Sequence, residues 1–384
     1  MKKSFILLLL TLSLLAPVQA QSYRFTHGPY LQELTGNSVT VVFTTNGKGI
    51  SWVETLTPQG DTLRSYTIVN GIKVSYNTFH TITIKDLQPG TTYRYRICSR
   101  EITRFHPYEI RFGEDRTSRW YTFSTLDPKA TSGSFIALSD MHEHADKLGR
   151  LLVKAGVKDA NLVFYVGDMM NYNDNPEKPF ECFIDKSVEL FAGSKPFLFV
   201  RGNHETRGNR ADEFFRFVPK SDGQYYGSCL YGDIMFVMLD CGEDKPDNFP
   251  VYGGLNNFDE YRTQQAAWLA ALIKSKEYKR AKWHIVMSHF PPLALNDSTP
   301  EDHGLKEMEQ KFLPILKKGK IDLMVCGHMH QFLFTTPHDN AQLTFPVVQN
   351  GTDTAVRIDI KDKSLHMTAY DAQGNVVTNY KIAK

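Results

Sequence analysis

Five solid apolar runs behind residue 134 each stop at a polar cluster, and this pattern limits the possible folds more than any other feature of the chain. The runs are Phe135 to Leu138, Leu162 to Val166, Phe197 to Val200, Ile285 to Met287 and Ile321 to Val325. Runs without polar alternation predict strands covered on both faces. The helix-like segments Ala145 to Val153 and Thr263 to Ile273 supply that cover, which predicts an α/β domain over residues 134–384. The clusters are Ser139-Asp140-Met141-His142, Gly167-Asp168, Arg201-Gly202-Asn203-His204, Ser288-His289 and Gly327-His328-Met329-His330. Sites in α/β sheets form outside the carboxyl ends of strands, so the five clusters are expected to converge. Their Asp, His and Asn side chains, without a Cys ligand, suit divalent Mn, Fe or Zn better than a thiolate site. Glycines precede Asp168, Asn203 and His328, and each is expected to let the backbone turn sharply as its strand ends.

The front of the chain has another period. Short β runs at Ser38 to Thr45, Ser51 to Leu56, Thr62 to Val69, Thr78 to Ile84, Thr91 to Ile97 and Trp120 to Ser124 predict an all-β sandwich over residues 21–126. Asp127 to Ser134 reads as a linker, because Pro and small polar residues replace the strand pattern. After about Leu343 short β runs return, with Asp371 to Asn375 as a hairpin turn.

Residues 1–20 combine Lys2 and Lys3, an apolar stretch from Phe5 to Leu15 and the small-residue end Val18-Gln19-Ala20, the pattern of a secretory signal peptide. A periplasmic or secreted protein is therefore expected, without a transmembrane segment in the mature chain. Removing that leader takes away two lysines and no acid, which leaves 42 basic residues against 42 acidic ones. That balance gives no strong nucleic-acid signal. The five cysteines are far apart, so neither a zinc ribbon nor a disulfide framework is indicated, and at least one is unpaired within the chain.

Taken in order, Asp-x-His, Gly-Asp, Gly-Asn-His-Glu, His and Gly-His-x-His resemble the calcineurin-like metallophosphoesterase superfamily. With the preceding β domain the whole is most similar to purple acid phosphatases, and Leu87 to Ile97 resembles the corner of a fibronectin type III domain, where a Tyr bonds back to the backbone. The resemblance implies an αββα sandwich and two divalent metal ions. Asp140, His142, Asp168 and His330 would hold one, while Asp168, Asn203, His289 and His328 would hold the other. It also implies a hydroxide between the ions that attacks phosphorus in line, with His204 as the acid for the leaving oxygen or as a transition-state donor.

Two positions depart from the purple enzymes, whose first motif has Gly where His142 stands and whose ligand Tyr is replaced here by Asn171. In related phosphatases an Asp at that position orients the catalytic His, so the amide oxygen of Asn171 is expected to hold His204. Arg207 and Tyr172 are candidate substrate-binding residues; an ion-paired Arg and a packed Tyr are the ordinary alternatives. The loop from Cys241 to Asp259 has no period and reads either as a specificity loop or as a surface loop.

The resemblance therefore points to a secreted phosphoester hydrolase acting on phosphomonoesters. The alternatives are a phosphodiesterase acting on nucleotides or lipid head groups, and a binding or adhesion protein with a vestigial metal site. Oligomeric state is not legible here. Two carboxylates and a hydroxide carry about −3, so two divalent ions leave a centre near +1 with no need of a trivalent iron. The metal-loaded protein is accordingly expected to lack an intense tyrosinate-to-metal band; a visible band lost on Tyr172→Phe would overturn the all-divalent assignment.

Overall fold

The structure is a computed structural model that describes residues 22–58, 60–293, 302–361 and 363–384. The leader-like segment 1–20 lies outside the described residues. Among them no helix is long and apolar enough to cross a membrane.

At the front of the chain a single long strand, Val39–Leu56, takes the place of the two short runs read from sequence. Its first half pairs with Ser75–Ile84 and Tyr30–Gln32, its second half with Thr62–Ser65 and Thr92–His106. The register against Ser75–Ile84 shifts between Thr44 and Gly49, so the strand bends there rather than ends. Through this continuous segment the strands join one seven-stranded sheet, whose inner residues Val41, Phe43, Val53, Ile82, Tyr95 and Phe123 share one core. At the corner, Gln88 N donates to Tyr93 Oη at 2.9 Å, as the resemblance implied. A hairpin that the sequence reading lacks joins Thr92–His106 to Glu109–Thr117. The second of these strands is exposed or half-buried throughout, so it carries no alternation to read.

The rear domain stacks two six-stranded sheets. In the first, Gly133–Leu138, Leu162–Val166 and Phe197–Val200 run parallel. In the second, Ile234–Leu239, Trp283–Ser288, Leu323–Cys326 and Val347–Gln349 do the same. Alternation along each strand separates the layers: Phe135 and Ala137 meet Phe236 and Ile285 of the opposite sheet, whereas Ile136 and Leu138 meet Leu148 and Leu151 of the helix Ala145–Lys154. On the far side Met235, Val286 and Met324 meet Leu269 and Phe312. This is the αββα order of layers. The turn at Asp371 forms as read, with Asp371 N donating to Asn375 O. All five cysteines are free.

The front domain contributes to the rear core. Tyr30 and Val42 are fully buried among Ile136, Phe197 and Phe217, and Tyr30 Oη donates to Phe217 O at 2.9 Å. Tyr95 Oη likewise reaches Gly193 O at 2.8 Å. At the edge of this contact His27 stacks on Phe180 at 4.0 Å, with Asp185 on Nδ1 and Glu177 on Nε2, each at 2.9 Å. Burial alone would depress its pKa; hydrogen bonding to Asp185 and the charges of Asp185 and Glu177 outweigh that and raise it. A raised folded-state pKa makes the contact's contribution complete below the unfolded value of about 6.5 and lost as pH rises through the folded value. His27→Gln is expected to lower the urea-unfolding free energy more at about pH 5 than at about pH 9. A difference that does not vary with pH would show that the ring contributes by packing alone.

Candidate metal centre

The five clusters converge at the carboxyl ends of their strands. Two groups of donor atoms lie within 4.8 Å of one another, Asp140, His142, Asp168 and His330 in one and Asp168, His289 and His328 in the other. Asp168 belongs to both. Asn203 borders them: the neighbouring His204 N donates to Asp168 Oδ1 at 3.0 Å.

The backbone delivers these side chains in an unusual state. Asp140, His142, Asp168, His328 and His330 all have positive φ, from 43° to 73°. Non-glycine residues rarely adopt that region, and such strain concentrates at functional sites. Hydrogen bonds hold the turns: Asp140 N donates to Gly167 O and His142 N to Asp168 O, both at 3.0 Å, and His328 N donates to Asp140 Oδ1 at 3.0 Å. Of the three glycines read as sharp turns, only Gly167 has positive φ, 84°. Gly202 and Gly327 serve closeness instead, since a Cβ there would stand 2.2 Å from Asp168 Oδ1 and 2.5 Å from Asp140 Oδ2.

Hydrogen bonding also orients each ring. His289 Nδ1 donates to Val166 O at 2.8 Å, so Nε2 faces Asp168 Oδ2 at 3.1 Å. His142 Nδ1 donates to Asn171 Oδ1 at 2.9 Å and turns Nε2 toward His330 Nε2, 3.0 Å away. Two basic nitrogens at that distance, and buried His289 Nε2 and Asn203 Oδ1 without hydrogen-bond partners, are atoms that a cation would satisfy. Burial pushes Asp140 up to about 7, with the charge of His289 opposing and that of Asp168 adding to the rise. Burial opposes charge on His289 as well, yet Asp168 raises it to about 10. Burial and the charge of His289 take His328 down to about 3, which leaves its ring neutral as a ligand must be. The oxygen and nitrogen donors fit divalent cations.

Asn171 differs from the expectation. Its amide oxygen holds His142, and its backbone carbonyl accepts from His204 Nδ1 at 2.8 Å. The side chain leaves the turn toward the Asp140–His142 loop while the carbonyl faces the Asn203–Arg207 turn, so one residue orients two histidines. Arg207 is ion-paired with Glu243 and Asp244, and its Nη1 stands 3.1 Å from His204 Nε2. Tyr172 is 46% exposed, its ring faced by Lys178 Nζ at 4.8 Å, and it belongs to neither donor group.

The sequence reading misses Glu205, Glu243 and Asp244. The loop from Cys241 onward abuts the centre, since Asp244 Oδ2 stands 3.4 Å from Asn203 Nδ2. The same rule could have found it: Ile234–Leu239 is a sixth solid apolar run, and Asp240 to Asp244 is the cluster where it stops. A third acidic grouping, Asp259, His303 and Glu307, is filled by Arg262, which donates to Asp259 at 2.7 Å and Glu307 at 2.6 Å; it is an ion-pair network.

Comparison with known proteins agrees with this geometry. Purple acid phosphatase 18 of Arabidopsis thaliana is 24% identical over 273 residues, covering 68% of this chain and 54% of that protein. Probable inactive purple acid phosphatase 27 of the same plant is 22% identical over 289 residues, covering 67% and 44%. The chain thus spans about half the length of the curated relatives it matches. In structure it resembles purple acid phosphatase PPD1 from yellow lupin (Lupinus luteus) seeds, with a TM-score of 0.67, 16% identity and coverage of 92% of this chain and 74% of that one. That likeness shows the fold. The family model for calcineurin-like phosphoesterases matches residues 133–332, more than half of the chain, and the chain belongs to that family.

Proposed function

We propose that this protein is a metal-dependent phosphoric ester hydrolase that acts on phosphomonoesters at a centre of two divalent ions. The observation that carries the reading is the sharing of Asp168 by two donor groups. A carboxylate has two oxygens and suits a pair of cations roughly 3.5–4 Å apart. Asp140, His142, Asp168 and His330 would hold one ion; Asp168, Asn203, His289 and His328 the other. Bound there, the ions supply Lewis-acid polarisation and a nucleophile at neutral pH.

His204 is assigned the proton. Its Nδ1–H is held by Asn171 O, and Nε2 accepts from Arg207 Nη1 at 3.1 Å, so Nε2 is the atom that would take up a proton and hand it to a leaving oxygen. Nε2 lies 3.9 Å from Asp168 Oδ2, and the side chain is 24% exposed, within reach of an ester entering from solvent. Phe290, fully buried, packs against the His328 ring at 4.6 Å and keeps water from that side. The leader-like pattern of residues 1–20 supports a periplasmic or secreted location.

His204→Ala is expected to lower kcat on p-nitrophenyl phosphate by about 10²–10⁴-fold with metal content near that of the wild type. Loss of the metals in this variant would remove His204 from the proton role. Asp168→Asn should prevent two ions from binding together, as read by elemental analysis. Faster turnover of bis(p-nitrophenyl) phosphate than of the monoester would make the protein a diesterase.

Since Asn171 Oδ1 sets the ring of His142, Asn171→Ala is expected to weaken binding of one ion by ~10–100-fold. Metal titration that finds both affinities unmoved would deny Asn171 that role.

A further inference from the structure

The turn after Ile234–Leu239 is anchored from behind. Arg262, fully buried on the helix Phe258–Leu272, donates from Nη1 to Cys241 O at 2.8 Å and Glu243 O at 3.1 Å, while Gly304 N donates to Asp244 O at 2.8 Å. Held in this way, the turn faces two carboxylates toward the Asn203–Arg207 segment. Glu243 receives Arg207 Nε on Oε1 at 2.5 Å and Nη2 on Oε2 at 3.0 Å, and Asp244 Oδ1 lies 3.3 Å from the same Nη2. The planar fork is thereby fixed in direction. One nitrogen, Nη1, has no carboxylate; it donates one hydrogen to His204 Nε2 at 3.1 Å and keeps a second N–H. The side chain of Glu243 is 1% exposed and that of Arg207 28%, so the carboxylate is the buried support and the guanidinium the accessible group.

We propose that Glu243 is a positioning residue that aims Arg207 Nη1 into the space beside His204 Nε2, where it receives a phosphate oxygen and favours monoesters. The ester preference rests on the phosphoesterase reading; the phosphate contact does not. The preference follows from counting oxygens. A monoester has three unesterified oxygens and a diester two, so an additional fixed donor finds an acceptor on the monoester where a diester presents an alkoxy group.

The test is calorimetric titration of inorganic phosphate into the full chain loaded with Mn²⁺. Glu243→Gln deletes a negative charge beside the site, so a purely electrostatic role would make phosphate bind tighter. The positioning role makes it bind weaker, by ~10-fold. Arg207→Ala should cost at least as much, and the double variant no more than Arg207→Ala alone, because both remove one contact. Arg207→Lys, on an accessible side chain, keeps the charge and loses the fork; it should also bind weakly. Equal or tighter binding by Glu243→Gln, wild-type binding by Arg207→Lys, or losses that add in the double variant overturn the proposal. With esters, Glu243→Gln should raise KM for p-nitrophenyl phosphate with little change in kcat and leave KM for the bis-ester unmoved. If phosphate behaves as expected and neither ester is hydrolysed, the hydrolase reading fails and the positioning role stands. If the monoester is hydrolysed and the variants titrate like the wild type, the reverse holds.

Discussion

The buried carboxylate of Glu205 holds two strand ends at one fixed separation, and the candidate centre depends on that separation. It accepts from Asp168 N and Met169 N, at the end of Leu162–Val166, and from Gly202 N, at the end of Phe197–Val200, each at 2.8 Å. Burial raises its pKa to about 7 and the charge of Asp168 adds to the rise, while the backbone N–H groups oppose both. Two loops from different strands otherwise present amide hydrogens to each other with no acceptor between them. A buried carboxylate is expensive to keep and strongly favoured by several such donors. The close approach of the loops also explains why glycine stands at Gly167 and Gly202: a Cβ on Gly167 would stand 2.7 Å from Gly202 Cα, and one on Gly202 2.6 Å from Asp168 N.

Around this tie the site concentrates unfavourable features, several of which a cation would relieve. Five predicted ligand residues have left-handed backbone, two carboxylates are buried together, and two histidine nitrogens face each other at 3.0 Å. In a region of plain structural residues each would cost stability without return. Burial raises the pKa of Asp140 and Asp168 raises that of His289, and a cation beside them would oppose protonation of both. Strain, orphaned polar atoms and shifted titration therefore coincide on the same handful of side chains, which is independent of any family likeness.

Much of this was legible in the chain because burial and chemistry alternate abruptly there. The strands Leu162–Val166 and Phe197–Val200 are buried or nearly so at every position, so they read as apolar blocks, and the residues that follow them stand out by type. The hairpin strand Glu109–Thr117 was hidden for the opposite reason: it buries no face. Glu243 and Asp244 follow a sixth apolar run, but their loop reads equally as a specificity loop or as solvated surface until Arg207 and Arg262 are seen to meet it. For Asn171 no sequence argument could decide. Its carbonyl and its amide oxygen are both acceptors on the same residue, and only the turn determines which histidine each receives.

The long strand Val39–Leu56 explains why a β domain stands in front of such a centre. Its first half, before the bend, puts Val42 into the core outside the first sheet, where the same cluster holds Ile136, Leu138 and Tyr165. Those residues lie on the strands that end at Asp140 and Asp168. Tyr30 and Tyr95 fasten the contact through backbone carbonyls at Phe217 and Gly193. Buried tyrosines bonded to carbonyls resist sliding, because any shift leaves a hydroxyl unsatisfied in an apolar setting. The front domain is thus a wall of the core behind the first sheet, and its packing bears on the strands whose tips must hold Asp140 and Asp168 at a fixed distance.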